Sequence, residues 1–500
     1  MRRLAIDGPY AAPVVGTPYA ALVALAGAIG LVLVVGALGP SAVAPPLPGA
    51  GAWPPYALSA GPPPGLVVCL LALAVVLGTL GLLGTESAIR RGWAPAPRRL
   101  LAAGALAVGV LALVPPIGTA DPQSYAAYGR LVVTGHDPYT STPAQLAATG
   151  DPVGRAVEPP WQHTPSVYGP LATAEQALVA KVAGTSVRTA VALLAALNAL
   201  AFLLTGVLLD RLAGRYDDVA RRRAALLWTL NPLLLYQVVA GAHLDALVAL
   251  GIAAALLALR RSPLLAGAVA GGAVLVKAPA VLVAAGLAWT AHRAGRLAVV
   301  LGLALVVLPA YALAGRHAPG QLSRASRLIS AATPWRLPAH VLDPLLGAGT
   351  SRRLIGVLAL LLAAALAIVL YRGLPPARAD ATGRDGETSR ATRAALVLTL
   401  GYLLAAPYAL PWYDASAWVL LALLPASAYD RILLARTATL SLAYLVGRVV
   451  PLSDPVRIAT AVLRGGVAPV VLALLIVAAV IESRRRPGSA STPTPSAAAP

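Results

Sequence analysis

A carboxylate that opens a helix directly after an apolar run is the first place in this sequence where chemistry could be done. The run closes on Val114-Pro115-Pro116, and the chain continues Thr119-Ala120-Asp121-Pro122-Gln123-Ser124-Tyr125-Ala126-Ala127-Tyr128-Gly129-Arg130. Asp followed by Pro suits a helix start, with Asp121 as the N-cap and Pro122 as the first helical residue. The same carboxylate, held at a membrane edge, can take the proton of an alcohol as its oxygen attacks an electrophilic carbon. That position separates Asp121 from the other acids of the segment, Asp137, Asp151, Glu158 and Glu175. Tyr125, Tyr128, Leu131 and Val132 follow at spacings of three and four, which predicts an aromatic-apolar face suited to lie on the membrane surface.

Two turn-rich pieces come next, Gly135-His136-Asp137-Pro138-Tyr139 and Trp161-Gln162-His163-Thr164-Pro165-Ser166-Val167-Tyr168-Gly169-Pro170. The rings of Tyr139, Trp161 and Tyr168 suit sugars, and serve equally to anchor a loop among lipid headgroups. Asn231-Pro232 reads as a helix kink. Beyond it, Gly241-Ala242-His243-Leu244-Asp245 puts an imidazole and a carboxylate at a tight membrane-edge turn, where ionisable groups are functional candidates unless the two satisfy each other.

Lys277 lies inside an apolar hairpin beside Pro279, where its ammonium either meets a phosphate or snorkels to the interface. Arg324 and Arg327, three apart, can present two guanidinium groups to one phosphate or form a solvated loop face. Leu410-Pro411-Trp412-Tyr413-Asp414 either walls a cavity or joins an aromatic belt. His136, Asp137, His163, His243 and Asp245 could together take a divalent ion, but their spacing is not diagnostic and no metal site is assigned. Dinucleotide, phosphate-loop, HExxH and nucleophile-elbow motifs are all missing from the sequence.

The elements that must position these residues are membrane helices. Hydrophobic residues make up 58% of 500 and charged residues 12%, and the mean hydropathy is +0.76, far from the balance of a soluble domain. Twelve spans give the simplest count, near 17–39, 63–84, 99–118, 187–209, 223–241, 243–259, 297–314, 352–371, 394–409, 413–428, 437–450 and 466–482. Two shorter pieces, 264–277 and 279–291, form a broken hairpin that must line protein or a cavity. The net charge of +20 comes from arginines clustered between apolar runs, which reads as a topology signal and not as a nucleic-acid surface.

With the first span retained, both termini are cytoplasmic, and 119–185 and 315–351 become large outer loops. Residues 372–393 read as a cytoplasmic linker and 483–500 as a disordered tail, leaving 1–482 as one transmembrane unit. Cys69 stands alone and indicates no disulfide framework. No internal repeat is visible, which weighs against a secondary transporter.

Residues 121–128, 135–139, 161–165 and 168–170 resemble the actinobacterial polyprenol-phosphate-mannose-dependent α-1,6-mannosyltransferases of the GT-C membrane glycosyltransferases. The resemblance continues through Asn231-Pro232, the His243/Asp245 turn, Lys277-Ala278-Pro279 and Pro411-Trp412-Tyr413, and spans roughly residues 15 to 480. It implies an all-α GT-C bundle of about twelve spans with an extracytoplasmic site in the plasma membrane. It also implies a polyprenyl-phosphate mannose donor, a lipid-anchored mannan acceptor of the lipomannan and lipoarabinomannan core, and no nucleotide, cofactor or metal.

By the same resemblance Asp121 is the base of an inverting transfer, and Lys277 with Arg324 or Arg327 stabilises the departing phosphate. Tyr125, Tyr128, Asp137, Tyr139, Trp161, His163, Tyr168, His243, Asp245, Trp412 and Tyr413 surround the sugars. Many GT-C enzymes carry two acids in this loop, whereas Asp121 is followed by Pro122 and Gln123, so the identity of a second acid stays open. A relative carrying arabinose or another lipid-linked sugar, or a lipid-sugar flippase, shares the same features.

Overall fold

Apolar runs that cannot borrow hydrogen bonds from water must satisfy their backbone internally, and helices do so. In the computed structural model, which describes residues 17–48, 53–320, 327–378 and 382–485, every regular element is helical. The helices of seven residues or more are α1 Pro18–Ala37, α2 Pro64–Arg90, α3 Pro97–Leu111, α4 Asp121–Val133, α5 Pro170–Ala183 and α6 Val187–Ala213. They continue with α7 Asp218–Ala224, α8 Asp245–Leu259, α9 Pro263–Val276, α10 Val281–Thr290, α11 Arg293–Ala314 and α12 Arg336–Leu346. The last are α13 Ala348–Gly373, α14 Gly383–Ala405, α15 Ala415–Leu421, α16 Ala428–Ala443 and α17 Asp454–Arg484, the last with wide turns at Leu463–Val467.

Six of the described helices, α1, α2, α6, α11, α13 and α17, are long and apolar enough to cross a membrane, and α8, α9 and Ala278–Thr290 are shorter apolar helices. The chain is a membrane protein. Several expected spans are shorter or interrupted. The third, expected at 99–118, ends at Leu111, and the segment expected at 223–241 is α7 followed by two π-helical turns, Ala225–Thr229 and Leu235–Ala240. Asn231-Pro232 separates those turns: the Asn231 side chain accepts from Leu233 and Leu234 N–H, and its amide donates back to the Leu227 carbonyl.

The expected linker 372–393 also changes. From Gly383 onward it is the first half of α14, with Thr388, Ser389 and Thr392 buried. Its charges are absorbed by neighbours: Arg393 donates to the carbonyls of Leu374 and Pro375, Arg260 pairs with Asp385, and Arg378 with Asp217. The expected tail lies almost wholly outside the described residues.

The outer segment 119–185 is not a loose loop. It holds α4, two short helices at Pro143–Ala148 and Pro152–Arg155, a 3-10 turn at Trp161–His163, and α5. α4 lies against α5 and α6, so Tyr125, Tyr128 and Leu131 are buried in protein and not laid on a membrane surface, while Val132 alone of that set stays exposed. Close approach explains why: a Cβ on Gly129 would stand 2.0 Å from the Gln176 carbonyl oxygen, so the two backbones touch where glycine permits it.

Candidate active site

α4 begins where the sequence places it, but its cap differs. Ala120 is the N-cap, Asp121 is already helical, and the Thr119 hydroxyl accepts the Asp121 N–H at 3.3 Å. The Asp121 carboxylate therefore caps nothing and is free to face inward. The approach to it is stitched down on three sides: Ile117 N–H bonds to the Ala240 carbonyl, Gly118 N–H to Val43, and Gly447 N–H to Gly118.

Around that carboxylate the fold gathers residues from five parts of the chain. Tyr125, one turn along α4, donates to Asp121 Oδ2 at 3.4 Å. His243 Nε2 lies 3.6 Å from the same oxygen and 3.2 Å from Thr119 Oγ1. The other ring nitrogen, Nδ1, is 2.5 Å from the Gln237 carbonyl and donates to it, which leaves Nε2 as the acceptor of the neutral ring. The Trp412 indole stacks on the imidazole with centroids 3.6 Å apart and planes 11° from parallel. Ala242 holds φ at +50°, a conformation an alanine adopts only under constraint, and this turn aims His243 at Asp121.

Lys277 stands at the break between α9 and α10, with extended backbone and Pro279 two residues on. Its ammonium donates to Asp245 Oδ2 at 2.6 Å, lies 4.6 Å over the Tyr413 ring and 5.7 Å from that of Tyr168. Tyr168 is brought there by Gly169, whose N–H bonds to the Val276 carbonyl and whose missing Cβ would stand 2.2 Å from Leu275 O. Tyr168 meets Tyr125 edge to face at 5.1 Å and points its hydroxyl toward that of Tyr125 at 3.5 Å.

Burial raises the Asp121 pKa to about 6. Lys277 opposes the rise, Asp245 adds to it, and the Tyr125 hydrogen bond lowers it. Asp245, paired with Lys277, is thus a second carboxylate near enough for its charge to act on Asp121. A carboxyl group that titrates close to neutrality at the edge of such a pocket is suited to general-base work.

Several expectations are corrected. His243 and Asp245 do not satisfy each other: the first turns to Thr119 and Asp121, the second to Lys277. Lys277 does not snorkel, since its ammonium is paired and boxed by rings. Trp412 is buried against His243 and so is no belt residue. Not every arginine between apolar runs is solvated: Arg223 and Arg436 are buried in ion pairs, Arg223 with Glu86 and Asp430, and Arg436 with Asp414.

The two turn-rich pieces lie apart from Asp121 except at Tyr168. Asp137 accepts the Tyr139 N–H and lies 2.8 Å from His317 Nδ1, and the Tyr139 hydroxyl meets Thr173 at 3.0 Å, so both tie the outer segment together away from Asp121. Trp161 packs on the core margin and His163 is exposed. His136, Asp137, His163, His243 and Asp245 consequently do not converge, and no group of three or more metal-binding side chains occurs among the described residues. Arg324 lies outside the described residues, and Arg327 is exposed on the wall of a neighbouring cleft.

Sequence reasoning missed Thr119, Gln237 and Tyr408. Tyr408 belongs to the run that ends in Trp412-Tyr413, and its ring lies 6.2 Å from that of Tyr413. That shared run was the available signal. Nothing local marks Thr119 or Gln237, whose partner is 124 residues away in one case and six in the other.

Residues 24–293, more than half of the chain and including Asp121, His243, Asp245 and Lys277, match the family described as "Alpha-(1->6)-mannopyranosyltransferase, N-terminal domain". An alpha-(1->6)-mannopyranosyltransferase B of Corynebacterium glutamicum is 28% identical over 141 residues, which is 28% of this chain and 23% of that protein. An alpha-(1->6)-mannopyranosyltransferase of Mycobacterium tuberculosis is 34% identical over 143 residues, again 28% of this chain and 23% of that protein. The alignment thus spans less than a quarter of either relative's length. No solved structure matches the chain.

Proposed function

This chain belongs to the alpha-(1->6)-mannopyranosyltransferase family, and from that membership and the pocket around Asp121 we propose that it transfers mannose to the 6-hydroxyl of a growing α-1,6-mannan. The donor is polyprenyl-phosphate mannose, and the acceptor is the lipid-anchored mannan of the lipomannan and lipoarabinomannan core. The protein resides in the plasma membrane with about twelve spans, counting α8, α9 and the interrupted segments together with the six long helices. Both termini are cytoplasmic and the pocket faces outward.

One observation carries the reading. The Asp121 carboxylate is released from capping by Thr119 and held beside Tyr125 and His243, with a pKa raised by burial to about 6. In the transfer, the acceptor oxygen forms the new bond to the anomeric carbon as its proton passes to Asp121. The bond from that carbon to the phosphate oxygen breaks, its electron pair leaves with the polyprenyl phosphate, and the anomeric configuration inverts. Phosphate needs charge stabilisation more than a proton. Lys277, its charge partly offset by Asp245, lies on the leaving-group side with Arg324 or Arg327 as the further source of positive charge.

Asp245 holds the Lys277 ammonium, and Tyr125, Tyr128, Tyr168, Trp412 and Tyr413 wall the space for the reacting sugars. Neutral His243, fixed by Gln237 and Trp412, accepts from the Thr119 hydroxyl and so orients Thr119, which in turn accepts the Asp121 N–H. Asp137, Tyr139, Trp161 and His163 belong to the same outer segment and serve acceptor residues farther from the reacting end.

The test is transfer by the purified full-length protein, offered labelled polyprenyl-phosphate mannose and polyprenyl-phosphate arabinose in parallel with a short α-1,6-mannoside. Mannose incorporation is expected to fall by about a hundredfold or more in Asp121→Asn, the usual size of a lost general base. Full activity in that variant, incorporation of arabinose alone, or movement of the lipid-sugar across liposomes without transfer would each overturn the assignment.

A further inference from the structure

A largely apolar cleft with arginines on its wall lies near the Asp121 site. The cleft, of about 420 Å³ and within the size range of ligand sites, opens between α13 and the end of α14, and Arg327, Arg352, Arg353, Tyr402 and Tyr408 line it. We propose that this cleft is the membrane-side seat of a lipid phosphate: the three arginines hold the phosphate, and an isoprenoid-type tail lies along the apolar face of α13. The proposal deepens the reading above and rests on its lipid-linked donor.

Charge is the first argument. Lys277 is already matched by Asp245 at 2.6 Å, so the Asp121 pocket has little positive charge left to offer an incoming anion. The arginines of the cleft are different. Arg327 and Arg353 have no anionic partner among the described residues, and Arg352 reaches only Asp343, at 3.9 Å, with its Nε buried and unpartnered. Three arginines on the wall of one cleft with so little compensation suit one phosphate, which a guanidinium can bind bidentately.

Depth is the second argument. Arg352 and Arg353 lie in the second turn of α13, and the next charged residue of that helix is Arg372. The apolar stretch between them rises about 27 Å, close to the thickness of a hydrocarbon core, so the pair stands at one membrane interface, where a lipid presents its phosphate. Val357 and Leu360 line the cleft yet are 55% and 66% exposed, and Leu361 beside them is 62% exposed, so the cleft opens sideways onto the lipid-facing side of the helix.

Continuity is the third. Tyr408 lines the cleft, its ring lies 6.2 Å from that of Tyr413, and Tyr413 lies 4.6 Å beneath the Lys277 ammonium. Asp121 is not on the cleft wall. A tyrosine pair separates the arginines from the Lys277–Asp245 pair, so a headgroup that extends past the phosphate has a short path to the Asp121 carboxylate.

The probe is labelled farnesyl phosphate, with binding measured on the full-length protein in nanodiscs of zwitterionic lipid. Saturable binding is expected, competed by unlabelled farnesyl phosphate but not by inorganic phosphate or farnesol at equal concentration. Arg352→Gln with Arg353→Gln is expected to weaken it by roughly tenfold or more, as the loss of charge-assisted contacts implies. The double lysine variant, which keeps the charge but not the bidentate geometry, should bind more weakly than wild type and more tightly than the glutamine variant, and Asp121→Asn should bind as wild type does. Leu360→Trp, which leaves every charge in place, should also weaken binding by filling the tail's path, so a misfolded glutamine variant does not decide the matter.

Unchanged binding in the glutamine and tryptophan variants, or inorganic phosphate competing as well as farnesyl phosphate, overturns the proposal. Mannosyl transfer with an unaltered donor KM in the glutamine variant would sink the cleft and leave the transfer reading standing. Farnesyl phosphate binding that depends on the arginines, in a protein that transfers no mannose, would sink the transfer reading and leave the cleft.

Discussion

At the scale of single residues, the molecule is organised around the cost of keeping charge out of water. Asp121 has a folded pKa of about 6 against an ordinary 3.8 because burial disfavours its carboxylate. As a base it must be ionised, so kcat/KM for transfer is expected to rise about tenfold per pH unit below pH 6 and level off above it. A pH–rate profile of the purified protein checks this. Stability runs the other way: the folded state holds this proton more tightly than the unfolded chain, so stability falls as pH climbs from about 4 to about 6 and the penalty persists beyond. Asp121→Asn removes a penalty on the order of 3 kcal/mol at most, and is expected to be inactive yet no less heat-stable than wild type at pH 7.5, read by size exclusion after heating. Lys277→Met should behave oppositely. It leaves the Asp245 carboxylate buried without its cation, a loss of about 3–5 kcal/mol, and adding Asp245→Asn should recover the unfolding midpoint without recovering transfer.

At the scale of elements, the site depends on how closely backbones pack. α4 carries Asp121 and Tyr125, α5 follows Tyr168, and the two helices meet where Gly129 lies against Gln176. Gly129→Ala would force a carbon to within 2.0 Å of a carbonyl oxygen, so α4 must shift, at about 1–3 kcal/mol for overpacking. Because a displacement near 1 Å in a reacting group costs on the order of a hundredfold in rate, kcat is expected to fall much more than stability does. Comparing kcat with the unfolding midpoint for Gly129→Ala, with Gly109→Ala as a helical position where nothing lies within 4 Å, separates the two effects. Much of this level was legible in advance: Asp121-Pro122 marked a helix start, Asn231-Pro232 a break, and Lys277 with Pro279 a second break. The cap was not. Which side chain satisfies a helix N-terminus depends on the path of the preceding residues, and here Gly118 and Thr119 are fixed by Val43, Gly447 and His243.

At the scale of the whole molecule, cross-element ion pairs fall into separate groups. Glu86–Arg223, Arg223–Asp430, Asp210–Arg221, Asp217–Arg378 and Asp385–Arg260 join elements expected on the cytoplasmic side. Arg130–Asp151, Asp137–His317, Glu158–Arg448 and Asp343–Arg352 join elements expected outside. Arg436–Asp414 stands apart, a pair buried in the protein interior between the inner end of one expected span and the outer turn of another. The pairs of the two groups keep to their own side, as polar rims separated by a bilayer do. In a Cys69→Ala background, Thr140→Cys is therefore expected to react with an impermeant maleimide on intact cells, and Arg384→Cys only after lysis; the reverse pattern would place the Asp121 pocket on the cytoplasmic side.

Composition, apolar periodicity and the placement of arginine determined by themselves that the chain is a helical membrane protein, because a bilayer leaves the backbone few alternatives. Local residue types likewise singled out Asp121, His243, Asp245, Lys277 and Trp412, because ionisable and aromatic groups at a membrane edge stand out against an apolar background. Only the tertiary structure decided how they pair: His243 with Thr119, Gln237 and Trp412, and Lys277 with Asp245 across 32 residues. It also decided that Arg327, Arg352 and Arg353 share the wall of one cleft, where Asp343 is the anion that reaches them, at 3.9 Å from Arg352. Spacing along a chain specifies the face of a helix, whereas the counterion of a buried charge is whichever group the packing of distant helices brings within reach.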